Sequence, residues 1–138
     1  MEKFNSAVKH VVILAFLCVS MGAFFVTECS AFDIVIDVAP NVLNLQNNGQ
    51  VVTVHTDISY GLVQASTVYL NNVAIDSWKS DLQGNFVAKF VMDEIKDLPL
   101  DIDEYNTLTL VGLTTNNETF SGSQDILVIN NLPSNPDL

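Results

Sequence analysis

From residue 34 onward, apolar side chains recur at every second position, the spacing that sends alternate residues to one face of a β-strand. Ile34, Ile36 and Val38 alternate with Asp33, Val35 and Asp37. Proline has no N–H for a central ladder, so Ala39-Pro40-Asn41 marks a break before Leu43 and Leu45 resume the pattern. Asn47-Asn48-Gly49 reads as a turn, because Asn and Gly tolerate positive φ. Val52 and Val54 then alternate with Thr53 and His55. Residues 58–65, with Gly61, read as a longer connection. Residues 66–70 and 73–80 read as a hairpin about Asn71-Asn72, and residues 81–85 as the next turn. Phe86, Ala88, Phe90 and Met92 share one face, with Val87, Lys89 and Val91 on the other. Residues 93–98 suit one helical turn before Pro99. Leu108 and Leu110 oppose Thr107 and Thr109, Asn116-Asn117 turns the chain, and residues 119–129 close the sheet. Seven or eight short strands at this spacing, with no sustained 3.6-residue period, predict an all-β fold. The expected architecture is an immunoglobulin-like antiparallel β-sandwich.

The first thirty residues break this pattern. Lys3, Lys9 and His10 precede an apolar run over residues 11–26, interrupted by Ser20 and Gly22. The run is short of the roughly 20 residues that comfortably span a bilayer. Cys29-Ser30-Ala31 gives the small-x-small pattern that a signal peptidase reads, which places the cut between Ala31 and Phe32. The alternative is an uncleaved N-terminal anchor. The expected organisation is a signal peptide over 1–31, a sandwich domain over 32–130 and a disordered tail with two prolines over 131–138. The expected location is periplasmic or extracellular.

Cleavage changes the composition. Both cysteines, Cys18 and Cys29, precede the cut, so residues 32–138 have no disulfide, no thiol chemistry and no Cys-based zinc site. The whole chain carries a formal net charge of −11. Residues 32–138 hold fourteen carboxylates, no Arg, and only Lys79, Lys89 and Lys96. Such a surface does not neutralise a row of phosphates or anionic lipid headgroups, so no nucleic-acid partner and no stable membrane insertion after cleavage are expected. A protein or cell-surface partner is the remaining expectation.

Two local features suit the sandwich. Trp78 sits mid-chain on a strand, placed to fill the core between sheets. Tyr105 follows Asp101 by four residues at the start of a late strand, the setting of a tyrosine corner; an ordinary half-buried tyrosine is the alternative.

The chain also resembles a group of bacterial exported domains found singly or in repeats on secreted and surface proteins. Their entry strand reads like I-D-I-x-P followed by N-x-I-N, a glycine turn and a valine-rich strand. Here the matching residues are Ile36-Asp37-Val38-Ala39-Pro40, Asn41-Val42-Leu43-Asn44, Gly49 and Val51-Val52-Thr53-Val54. Gln64-Ala65-Ser66-Thr67-Val68-Tyr69-Leu70 matches a later strand of the group. Leu110-Val111-Gly112-Leu113-Thr114 and Phe120-Ser121-Gly122-Ser123-Gln124-Asp125-Ile126 match its closing strands. The resemblance spans most of residues 33–129 and implies an immunoglobulin-like module outside the cytoplasm. Many members carry an Asp-rich D-x-D-G-D turn suited to calcium. This chain has Asp81-Leu82-Gln83-Gly84-Asn85 there, one carboxylate where calcium asks for several.

Candidate chemistry is sparse. His55 is the single histidine after residue 31, and no Gly-x-Ser-x-Gly elbow accompanies it. Neither a P-loop nor a dinucleotide glycine pattern occurs. No enzyme and no cofactor are expected. The densest acidic stretch, Asp93, Glu94, Asp97, Asp101, Asp103 and Glu104, is the best candidate for weak divalent-cation or small-ligand binding. Asn117-Glu118-Thr119 is a glycosylation sequon, relevant only in a host that glycosylates. Trp78, Tyr60, Tyr69 and Tyr105 are the aromatics available for a carbohydrate platform, although core packing is the expected use of Trp78.

Overall fold

A computed structural model describes residues 31–132. The chain forms β1 (Ala31–Asp33), β2 (Ile36–Ala39), β3 (Val42–Asn44), β4 (Val51–Ser59), β5 (Val63–Leu70), β6 (Val73–Ala74), β7 (Ser77–Ser80), β8 (Asn85–Val91), β9 (Glu104–Thr114) and β10 (Thr119–Ile129). A single 3-10 turn, Tyr60–Leu62, joins β4 to β5, and one short helix, α1 (Met92–Lys96), follows β8. The signal segment expected over 1–31 lies outside the described residues except for Ala31. Ala31 and Phe32, which flank the expected cut, are both exposed on β1.

Two sheets pack face to face. One has the order β2-β4-β8-β7. The other has the order β1-β10-β9-β5-β6, with β3 also on the β10 edge. This is the strand order of an immunoglobulin-type sandwich. The pairs β2-β4, β4-β8, β7-β8, β5-β6, β5-β9 and β9-β10 are antiparallel, and β3 with β10 is parallel with Val42 beside Leu127. The strands among the described residues number ten rather than seven or eight, partly because the entry strand is cut into three pieces. β1 lies beside β10, the chain crosses to the other sheet as β2, and it returns as β3 after a cis Ala39–Pro40 bond.

The alternation seen in the sequence sets the core. Ile36, Val38, Val52, Val54, Phe86, Ala88 and Phe90 face inward from one sheet, and Val68, Leu70, Leu108, Leu110, Phe120, Ile126 and Val128 from the other. Phe86, Phe90 and Phe120 are its largest fully buried side chains. Each full burial of this kind contributes about 1.5–3 kcal/mol. Gly122 lets the sheets' common edge close. A Cβ there would stand 2.6 Å from the Ile34 carbonyl oxygen.

Three expectations need correction. Trp78 does not fill the core but lies 44% exposed on β7. Its cross-strand partner Ala88 points inward. However, β7 is the last strand of its sheet, so no neighbour covers the indole's outer side. Residues 73–80 are not one strand. Val73 and Ala74 pair with β5, and Ser77 to Ser80 pair with β8 in the opposite sheet. The handover is a pair of backbone bonds: the Ile75 N–H donates to the Val68 carbonyl at 3.1 Å, and the Asp76 N–H to the Lys89 carbonyl at 2.8 Å. Finally, Tyr105 makes no corner, being 71% exposed. The adjacent Asn106 does that work. Its Oδ1 accepts from the Asp101 N–H at 2.7 Å, and its Nδ2 donates to the carbonyls of Asp101 at 2.9 Å and Glu104 at 3.0 Å.

Candidate functional site

Three turns meet at one end of the sandwich. The first, Tyr60–Leu62, joins the two sheets. The second, residues 81–84, joins β7 to β8, and the third, residues 115–118, joins β9 to β10. Backbone bonds tie them together. The Tyr60 N–H donates to the Gly84 carbonyl at 2.9 Å, and the Thr115 N–H to the Leu62 carbonyl at 2.9 Å.

Each turn is fixed from within. Asp81 Oδ1 accepts from the backbone N–H groups of Gln83 at 2.8 Å and Asn85 at 2.9 Å. Gly84 sits at φ 86°, a conformation that costs glycine little and other residues more. In the third turn, the buried Thr114 hydroxyl accepts from the N–H groups of Asn116 at 3.2 Å and Glu118 at 3.1 Å. Gln64 Nε2 donates to the Thr114 carbonyl at 2.5 Å and to Asn117 Oδ1 at 2.8 Å. The sequon residue Asn117 therefore lies at an ordered turn tip with φ 63°.

On this frame stand three exposed apolar side chains. Leu82 is fully exposed, Leu62 is 48% exposed and Tyr60 is 40% exposed. The Tyr60 ring leans on the buried Phe86 ring, with centroids 6.3 Å apart. Sequence alternation gives no sign of this group, because its members lie in turns. The one available signal is a leucine, Leu82, among turn-forming polar residues.

The residues singled out for their chemistry are dispersed. His55 is exposed on β4, in register with Asp37 of β2 and the buried Val87 of β8. It lines a shallow depression of about 270 Å³ with Asp37, Asp57 and Asp81. The carboxylates of Asp57 and Asp81 are already engaged there, the former accepting from the Val35 N–H at 2.9 Å. Of the acids over 93–104, Asp93 and Glu94 lie in the first turn of α1, Asp97 closes that helix, and Asp101 and Asp103 lie beyond it. Among the described residues, no three of His, Cys, Asp and Glu are placed to hold a metal ion. Only Asp93 of that stretch reaches a larger recess of about 540 Å³, where it joins Asn47, Gly49, Gln50, Asp76 and Lys96. Lys96 Nζ donates to the Asn47 carbonyl, pinning α1 to the loop before β4. The aromatics do not form a platform either. Trp78 is on β7, Tyr60 is on the turn end, and Tyr69 and Tyr105 are on the outer face of the other sheet.

Among the described residues, no helix is long and apolar enough to cross a membrane. The chain matches no family model, no curated protein and no solved structure.

Proposed function

We propose that this chain is an exported, non-enzymatic immunoglobulin-like module that works by contact outside the cytoplasm, as a binding or scaffolding unit. The N-terminal apolar segment with its small-x-small site supports export. A single histidine and no cysteine after residue 31 support a non-catalytic role.

The observation that carries the reading is the turn end. Tyr60, Leu62 and Leu82 expose apolar surface on turns already locked by hydrogen bonds. A preorganised loop end loses little conformational freedom on binding, which is what a recognition surface needs. The partner is a protein or cell-surface component with an apolar, uncharged patch.

Two measurements test the proposal. Fractionation of the producing cells with N-terminal sequencing is expected to give an envelope or released protein that starts at Phe32; a start at Met1 in the membrane fraction removes the cleavage half. Labelled protein is expected to bind intact producing cells, and Leu62→Ser with Leu82→Ser to abolish that binding without lowering the melting temperature. Unchanged binding by the double variant removes the turn end as the contact surface.

The recess beside Asp93 supports a second reading, capture of a small polar ligand or a cation. Calorimetry against calcium decides its cation half. No heat and no shift in melting temperature at millimolar calcium would remove it.

A further inference from the structure

The outer face of the β10-β9-β5 sheet differs from the rest of the molecule in charge. Residues 32–138 hold fourteen carboxylates, yet the outward positions of these three strands carry one, Asp125. Its Oδ1 accepts from the Thr107 hydroxyl at 2.6 Å. Beside that pair, the Thr109 and Ser123 hydroxyls bond each other at 2.8 Å. The other acids among the described residues lie on loops, on α1, on strand ends, on edge strand β1 or on the opposite sheet.

Exposed apolar side chains occupy both ends of this face. Val42, Leu127 and Tyr105 form one cross-strand row, and Val111 and Tyr69 belong to another. Val42, Tyr69, Tyr105 and Val111 are all exposed, two of them aromatic and able to anchor a contact. The opposite sheet presents Asp37, His55, Lys79 and Lys89 outward instead.

We infer that this face pairs two copies of the chain across a two-fold axis. Two molecules of such negative charge repel through almost any other surface. Here each copy brings a nearly neutral sheet in which the Thr107, Thr109 and Ser123 hydroxyls are already bonded within the face, so covering them strands few donors. A cationic partner has acid-rich surfaces elsewhere and gains nothing from this one. The size also fits. β9 and β10 are about 35 Å long, β5 is about 26 Å, and β1 with β3 adds about 20 Å along β10, so at about 4.8 Å per strand the plan area is roughly 550 Å² before side-chain relief. A standard interface buries about 800 Å² per partner. Two twisted sheets stack face to face in this way within ordinary sandwich geometry.

Sedimentation of the protein purified from its producing cells tests the inference. The expected result is a dimer whose fraction rises with concentration. Val111→Asp and, separately, Ser123→Lys are each expected to give a folded monomer, with an unchanged circular dichroism spectrum and a melting temperature that no longer depends on concentration. Both positions lie on this face, so a charge of either sign there would be covered in a nearly neutral contact without a counter-charge. Thr53→Asp, outward on the opposite sheet, is expected to leave the dimer intact. A monomer at all concentrations overturns the inference, and so does a dimer that persists in both face variants. Opposite responses to Asp and Lys overturn it in favour of a charged partner.

Discussion

The side-chain oxygen of Gln124 accepts a hydrogen bond from the backbone N–H of Val38 at 2.5 Å, joining β10 of one sheet to β2 of the other. β2 is an edge strand, paired with β4 on one side only. Without Gln124, the part-buried Val38 N–H has no acceptor. Leaving such a donor unpaired costs about 1–3 kcal/mol. Gln124→Leu is therefore expected to lower the melting temperature by roughly 4–8 °C per kcal/mol lost, measured by calorimetry. Gln124→Glu, which keeps an acceptor, is expected to lose less.

Asn106 and Tyr105 make a clean pair for comparison. Asn106→Ala removes three hydrogen bonds that hold the 101–104 segment against β9, and is expected to cost about 1–3 kcal/mol in urea unfolding. Tyr105→Phe is expected to change stability by less than about 0.5 kcal/mol. The reverse order would restore the tyrosine corner.

Gly122→Ala tests the close approach of β1 and β10. The added carbon would meet a backbone oxygen, which cannot rotate away. Overpacking of this kind costs about 1–3 kcal/mol. Hydrogen exchange is expected to show the loss locally, as faster exchange at the Ile34 amide, which donates to the Ser121 carbonyl at 2.8 Å.

At the turn end, stability and contact separate. Asp81→Ala deletes two acceptor contacts and is expected to cost about 1–2 kcal/mol, much as loss of a helix cap does. Gly84→Ala, at positive φ, is expected to destabilise as well. Leu82→Ser, at a fully exposed position, is expected to stay within about 0.5 kcal/mol. Thermal melts of the three variants check this ordering.

Much of the fold is legible in the sequence because burial on one side of a sheet imposes period 2. Alternation places Val52 and Val54, Phe86 to Met92, and Leu108 and Leu110 on the faces where the structure has them. What it cannot supply is strand order. Trp78 reads as a core residue as long as its strand is taken as internal, and only the sheet assignment makes it an edge. The break at Ile75 and Asp76 is hidden for the same reason, since both halves alternate alike and the division lies in which strand accepts each N–H. Asn106 is different, because its signal was present. Counting back by two from Leu108 puts it on the inward side and Tyr105 on the outward side. The apolar turn end was illegible because turns obey no period, and its assembly depends on contacts between residues far apart in sequence.

The parallel pairing of β3 with β10 has a temporal side. Val42 finds its neighbour in Leu127, so an early strand waits for the last one. During synthesis, the sheet holding β3 has no edge to join until Ile129 is available. Non-local pairing of this kind also slows folding in free solution. The domain therefore closes late, with β3 left unpaired until β10 has been made.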